Sequence, residues 1–411
     1  MPGTYSNPPR EESPAWPLWH PRSFRALGRI VMVLMWCHSV TASSALGQER
    51  WWLMRSLQGS FVGWQLDSRR IEILGWTEGS YTASSASDQN LPLGLNYLAN
   101  EFALQQNWLR IDRPVDPEGQ AMHCGFRSDW ILPGTDYRFT LPRGLWNGQL
   151  SANDGQPALY GVDAVQFYGE VFVPRVAEGM TVKVGRFFLP YGVETTEAIT
   201  TPLASRSYGF IYNPFTQFGL LTTTKLNEAW SVVWGLSAGN DVLIDPANEP
   251  TLDLGFKWTD PLGHQSVNVF AIVGESRFNV AESFNHPSMV DIVYTRSLTA
   301  RLNYSGDFIA GYQRDVPDQG TVTWQGLAQY LTYRCSPHLS ANTRIELFHD
   351  EDGNRTGSEG LYTALTAGLT AQPVPNLIVR PELRCDYNDQ SRPFEGEHAL
   401  FTAAADVIVR W

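Results

Sequence analysis

From Leu400 to Trp411 the chain alternates with a period of two. Phe401, Ala403, Ala405, Val407 and Val409 fall on one face, and Thr402, Ala404, Asp406 and Arg410 on the other, with Ile408 the apolar exception. Successive side chains of a strand point to opposite sides of the pleat, so this segment predicts a strand with one apolar face, closing on an aromatic residue. The same pattern recurs upstream. Leu252, Leu254, Phe256 and Trp258 alternate with Thr251, Asp253, Gly255 and Lys257, and Val267, Val269, Ala271 and Val273 with Asn268, Phe270 and Ile272. Leu298, Ala300, Leu302 and Tyr304 alternate with Thr299, Arg301 and Asn303, and Trp324, Gly326, Ala328 and Tyr330 with Thr323, Gln325 and Gln329. Turn-forming residues punctuate the runs at Thr259–Gly263, Asp318–Gly320 and Asp352–Asn354. No long amphipathic helix pattern follows Asn100, while Trp51 to Arg69 reads as a short helix or a lead-in to the first strand.

Two runs carry charge on one face. In Val379–Tyr387 the polar face reads Arg380, Glu382, Arg384, Asp386; in Asn342–Asp350 it reads Arg344, Glu346, Phe348, Asp350. A lipid-facing Arg or Lys costs roughly 2–4 kcal/mol at the bilayer midplane, so in a membrane sheet these rows must look onto water. Rows of mixed sign also set up a transverse field across a pore. Lys183 shares a face with Thr181 and Gly185, opposite Met180, Val182 and Val184, and should point inward too. The predicted fold is all-β: a single antiparallel transmembrane barrel lined by Lys183, Arg301, Arg344, Glu346, Arg380, Glu382, Arg384 and Asp386. Dividing residues 48–411 among sixteen strands leaves about 23 residues for each strand and its connection, which suits membrane strands; the range is fourteen to eighteen.

The N-terminal composition points to export. Arg22, Arg25 and Arg29 precede an apolar run, Ile30 to Val40, and a small-residue stretch ending Ala45-Leu46-Gly47. That order reads as a signal peptide over residues 1–47, removed to leave Gln48 first, with a lead-in over 48–70 and the barrel over 71–411. Eleven apolar residues are too few to span ~30 Å of hydrocarbon. Removing four arginines and two acids moves the formal charge from −12 to −14, which excludes nucleic acid as a partner, since phosphate binding needs clustered Lys and Arg. Cys124, Cys335 and Cys385 then form an odd, sparse set, with one bridge open and no basis for choosing the pair. Fifteen Trp, 16 Tyr and 20 Phe suit the aromatic girdles of a membrane barrel.

Other motifs carry less. Gly235-Leu236-Ser237-Ala238-Gly239 matches a nucleophile elbow, but that device needs a helix after its strand, and Asn240–Pro246 reads as a loop. Asp350–Asn354 lacks the ligand spacing of a calcium loop, and His123-Cys124 has no second metal-ligand pair nearby. No metal or other cofactor is expected. The alternatives to a channel are a secreted soluble β-sandwich that binds or scaffolds, and an outer-membrane hydrolase using Ser237.

Three stretches resemble one known family. Val182-Lys183-Val184-Gly185-Arg186-Phe187 through Gly192 and Glu194 looks like its central signature; Ser205-Arg206-Ser207-Tyr208-Gly209-Phe210, followed by Pro214 and Gly219, looks like its Ser-Arg-Ser-Tyr segment. Arg380-Pro381-Glu382-Leu383-Arg384-Cys385-Asp386 is similar to its late strand, with Cys385 where an aromatic is expected. Asp129 with Gly134-Thr135-Asp136 has the family's earlier spacing. In this order the segments resemble the OmpL-like β-barrel porins, from about Leu74 to Trp411. The resemblance implies a bacterial outer-membrane diffusion channel for small hydrophilic solutes or ions, and assigns no catalytic role. The expected partners are outer-membrane lipid, the solutes, the barrel-assembly machinery through the strand ending at Trp411, and further copies of the chain. Leu189 to Pro214 is long for a turn and is expected to be an extracellular loop or one folded into the pore.

Overall fold

The computed structural model describes residues 50–142, 146–243, 250–274, 278–279 and 284–411. The proposed signal peptide lies outside them. Turn residues cut the alternating runs into sixteen strands: β1 Glu72–Ser84, β2 Phe102–Arg113, β3 His123–Gly134, β4 Gly161–Val173, β5 Met180–Phe188, β6 Thr216–Lys225, β7 Trp230–Asn240 and β8 Thr251–Thr259 in the first half. The second half holds β9 Gln265–Val273, β10 Ser288–Ser297, β11 Leu302–Val316, β12 Gly320–Ser336, β13 Leu339–Asp350, β14 Gly360–Val374, β15 Leu377–Asn388 and β16 Ala399–Arg410. Each pairs antiparallel with its neighbours in sequence, and β1 pairs with β16, so the sheet closes without an edge. In hydrocarbon that closure is obligatory, because an open edge would strand backbone N–H and C=O groups away from water. A separate two-residue ladder joins Phe278–Asn279 to Phe284–Asn285.

Closure is completed by the last residue. The backbone of Trp411 exchanges hydrogen bonds with Gly75 (2.9 and 3.1 Å), and its indole Nε1 donates to Thr77 Oγ1 at 3.2 Å. Gly75 is needed there: a Cβ would lie 2.4 Å from the Trp411 ring and 2.2 Å from the Trp108 carbonyl.

The connections at the two ends differ in length. At the end where β1 begins and β16 ends, the terminus-bearing end of the described chain, most hairpins are tight and chemically specified. The Asn227 side chain accepts the amides of Ala229 and Trp230, and Asp260 Oδ2 accepts that of His264. At the opposite end long connections run over 85–101, 135–160 and 189–215. Before β1, Trp52–Leu57 (α1) and Phe61–Ser68 (α2) form two short helices, the second capped by Ser60 Oγ accepting Gly63 N–H.

Alternation puts apolar side chains outside. Phe256, Ile345, Leu365 and Leu383 are all more than half exposed on the outer wall, while Asp253, Arg344, Arg384 and Asp406 on the same strands, or on their neighbour β16, are fully buried inside. In β16 Val407 and Val409 face out and Asp406 and Ile408 face in. This is one closed sheet, not two stacked ones.

Two details correct the pattern reading. In β12 the aromatic face is the inner one: Trp324, Ala328 and Tyr330 are buried, while Gln325 and Gln329 lie on the outer wall. The lumen is therefore not uniformly polar. Trp324 joins Tyr208, Phe348 and Tyr362 in one internal apolar cluster, and Ile408 joins Trp76, Trp108 and Ile378 in another. Second, the run from Leu298 to Tyr304 is not one strand. Thr299 Oγ1 accepts the amides of Arg301 and Leu302 and folds a turn between β10 and β11, so Arg301 is exposed in that turn and does not line the lumen.

Candidate functional site

Residues 189–215 leave β5, cross the lumen and return to β6, and the inner wall is built to receive them. The re-aiming begins within β5, where Gly185 takes φ +136 and the two residues beyond it, Arg186 and Phe187, are both buried. Arg186 donates to Asp163 Oδ1 at 2.9 Å and to the Ala164 carbonyl at 2.6 Å. Gly192, at φ +76, and Val193 then present their amides to Asp291 Oδ1 (3.2 Å) and Asp307 Oδ2 (2.9 Å) on β10 and β11.

Further round the same side of the barrel the charged rows of β13 and β15 meet the rest of the segment. Arg344 Nη1 donates to Glu194 Oε1 at 2.7 Å and to the Ser205 carbonyl at 2.9 Å, while its Nε donates to Glu346 Oε1 at 2.6 Å. Glu194 Oε2 accepts the amide of Ser207 at 2.7 Å, Glu346 Oε2 that of Tyr208 at 2.8 Å, and Glu382 Oε2 that of Ser205 at 3.1 Å. Arg384 forks onto Asp386 and donates to the Arg206 carbonyl at 2.7 Å, with its guanidinium 5.1 Å from the centre of the Tyr208 ring. The Tyr208 hydroxyl donates to Asp386 Oδ1 at 2.9 Å. Arg380 pairs with Asp406 and Glu78 and donates to the carbonyls of Ala198 and Thr201, both at 2.7 Å. Arg206 is caged by carbonyls, donating to those of Thr195 at 2.9 Å and Ala204 at 3.1 Å.

The structure thus gathers two sets of residues that are remote in sequence. Glu194, Ser205, Arg206 and Tyr208 of the crossing segment sit directly on Arg344, Glu346, Glu382, Arg384 and Asp386 of the wall, Ala198 and Thr201 sit on Arg380, and Gly192 sits on Asp291. All six wall residues on β13 and β15 face inward, and all are at most 4% exposed because the segment covers them. They support the crossing segment and do not border open water in this conformation. Lys183 lies apart, facing inward with its Nζ 4.6 Å from the centre of the Tyr168 ring. Water-facing polar side chains on the inner face cluster toward the terminus-bearing end: Lys257 and Asn303 are exposed, and Asn268 and Ser266 half-buried.

Several members of this lining were not singled out from the sequence. Glu78, Asp163, Asp291 and Asp307 are isolated acids within otherwise ordinary alternating strands. Only their matching inward parity and the excess of arginines elsewhere could have flagged them. Asp129 and Asp136, noted only for spacing, are buried acceptors: Asp129 takes both arms of Arg110 at 2.7 Å, and Asp136 takes the Gln106 amide at 2.8 Å. Ser237 lies inside β7, which runs through Gly235–Gly239 without the strand-to-helix turn an elbow requires, and its Oγ contacts Gln217. Cys124, Cys335 and Cys385 are unpaired and exposed. Among the described residues no cluster of His, Cys, Asp or Glu could hold a metal ion.

This architecture is shared with solved outer-membrane proteins. OprB of Pseudomonas putida superposes with a TM-score of 0.56 at 11% identity, covering 90% of this chain and 100% of that one. The outer-membrane channel DcaP of Acinetobacter baumannii gives 0.52 at 11% identity, covering 83% and 96%. The trimer form of OmpT from Vibrio cholerae gives 0.54 at 10% identity, covering 83% and 99%. No curated protein sequence matches the chain. The sequence profile of the family described as "Putative beta-barrel porin-2, OmpL-like" matches residues 70–410. With a closed sixteen-strand barrel, an apolar outer wall and this profile over nearly its full length, the chain belongs to the OmpL-like β-barrel porins of the bacterial outer membrane.

Proposed function

We propose that the barrel passes small hydrophilic solutes or ions passively, with residues 189–215 and the charged wall beneath them setting the width and polarity of the passage. The observation that carries this reading is the docking of one long segment, by more than a dozen hydrogen bonds, onto a wall whose charges alternate in sign. No covalent step is needed; selectivity comes from pore width and lumen charge. The tight hairpins at the terminus-bearing end face the periplasm and the long connections face outward, as membrane barrels arrange them. Lys183, Arg344, Glu346, Arg380, Glu382, Arg384 and Asp386 act on permeation as lumen charges, six of them through the segment they hold. Residues 1–47 serve as the export signal, the strand ending at Trp411 is what the assembly machinery reads, and the barrel assembles with further copies of itself. Recording single channels from refolded protein with neutral sugars of increasing size tests the reading. Stepwise currents that fall as sugars fill the passage support it, and a silent bilayer refutes it. Unchanged currents in Ser237→Ala are expected.

A further inference from the structure

The lead-in before β1 carries an exposed apolar face that the channel reading does not use. Phe61, Val62 and Trp64 on α2 are 74%, 52% and 61% exposed, and Trp52 on α1 is 55% exposed. These residues nevertheless belong to a fixed element. The Trp51 ring packs 6.4 Å from the lumen-facing Trp76, the Arg410 guanidinium lies 5.3 Å from the Trp51 ring, Met54 is buried, and Arg50 Nη1 donates to Asp67 Oδ2 at 3.2 Å, tying the start of α1 to α2.

The occupant follows from reach and charge. Four residue steps separate Ser68, the end of α2, from Glu72, the start of β1, so that end of the helix lies within at most about 14 Å of the barrel wall. That rim already shows membrane-interface chemistry: Trp230 is exposed and stands in register with Trp258, and Trp411 closes the seam. Residues 50–70 hold four arginines and one acid, a net +3 on a chain of net −12. Aromatic and aliphatic side chains beside arginines are what lets a short helix rest in a headgroup layer, its rings at the acyl boundary and its cations on phosphates. We propose that α2 is an interfacial anchor lying on the periplasmic leaflet of the same membrane, with Phe61, Val62 and Trp64 immersed and Arg69 and Arg70 on anionic headgroups. The proposal rests on the outer-membrane reading and extends the lipid contact beyond the barrel wall.

The test uses the processed chain, residues 48–411, with Cys124, Cys335 and Cys385 replaced by serine and a nitroxide on Val62→Cys, reconstituted in phosphatidylethanolamine vesicles with or without phosphatidylglycerol. The label should be several-fold more accessible to oxygen than to a water-soluble nickel chelate when phosphatidylglycerol is present. Arg69→Glu with Arg70→Glu should abolish that preference. Equal exposure to the nickel chelate in both vesicle types would overturn the anchor, as would label–label broadening that disappears on dilution of the protein, which would seat the face on a second copy. Conductance from the same preparation reads the barrel separately, so an open channel with a water-exposed label overturns the anchor alone.

Discussion

Arg344 and Arg384 are buried guanidiniums whose hydrogen-bond partners are all acceptors, and each touches both the wall and the crossing segment. Removing one partner of a buried ion pair leaves the other charge unpaired and typically costs about 3–5 kcal/mol. Arg384→Ala should therefore lower the unfolding free energy, read from urea titration of refolded protein in vesicles, by an amount in that range, while Leu383→Ala, on the outer wall one residue away, should change it little. Gly75 is constrained by space, not charge. Gly75→Val should block the seat of Trp411, and the variant should lose the heat-modifiable gel migration of a closed barrel. Which side chains face inward was legible at this scale, because charge repeats at a period of two in Arg380–Asp386. What lies on top of them was not, since Glu194 reaches Arg344 across 150 positions. Arg301 was misplaced for a local reason: the alternation happens to continue through a turn that Thr299 folds.

The crossing segment is the element whose shape matters most to passage. Its docking is distributed over the run of strands from β10 to β15, with Asp291, Asp307, Glu346 and Glu382 all accepting its backbone amides. Sequence length alone marked 189–214 as too long for a turn, but nothing local to it distinguishes a loop above the barrel from one inside it. That outcome depends on acceptors supplied by four distant strands. A second, smaller device holds the outer rim. The Glu395 carboxylate, between β15 and β16, accepts the amides of Ser87, Asp88 and Gln89 and the Ser87 hydroxyl, all within 2.9 Å. These backbone donors hold it well below its ordinary value of 4.5, at about 2. A carboxylate with a depressed folded value stabilises its contacts above the ordinary value and loses them as pH falls through the folded one. Hydrogen exchange at the amides of residues 87–89 should rise between pH 4.5 and about 2 beyond the intrinsic trend, and Glu395→Gln should show fast exchange already at neutral pH.

At the scale of the molecule, two periodicities decide the architecture. A period of two puts hydrocarbon outside and charge inside, and an average of about 23 residues for each strand and its connection suits sixteen strands, although single connections range from tight hairpins to residues 189–215. Both were readable from the chain, and so was the closing aromatic. The internal aromatic clusters were not, because Trp324 and Tyr330 obey the same parity whichever side holds lipid. Only closure of the sheet assigns the sign. Charge balance across the lumen gives a further expectation. Glu346→Gln with Glu382→Gln leaves Arg344 and Arg384 under-compensated, so the cation-over-anion permeability ratio should fall and the reversal potential in a salt gradient should move toward the anion's; an unmoved potential would show that these carboxylates do not act on the permeating ion.

The claim that residues 189–215, held down by the charged wall, set the passage is tested most directly by single-channel recording of the wild type beside Arg344→Ala. That substitution removes the contacts to Glu194, Ser205 and Glu346 at once. Discrete steps in the wild type and larger, noisier steps in the variant are the predicted result. Steps of identical size and noise in two correctly folded proteins, or no steps in either, would contradict it.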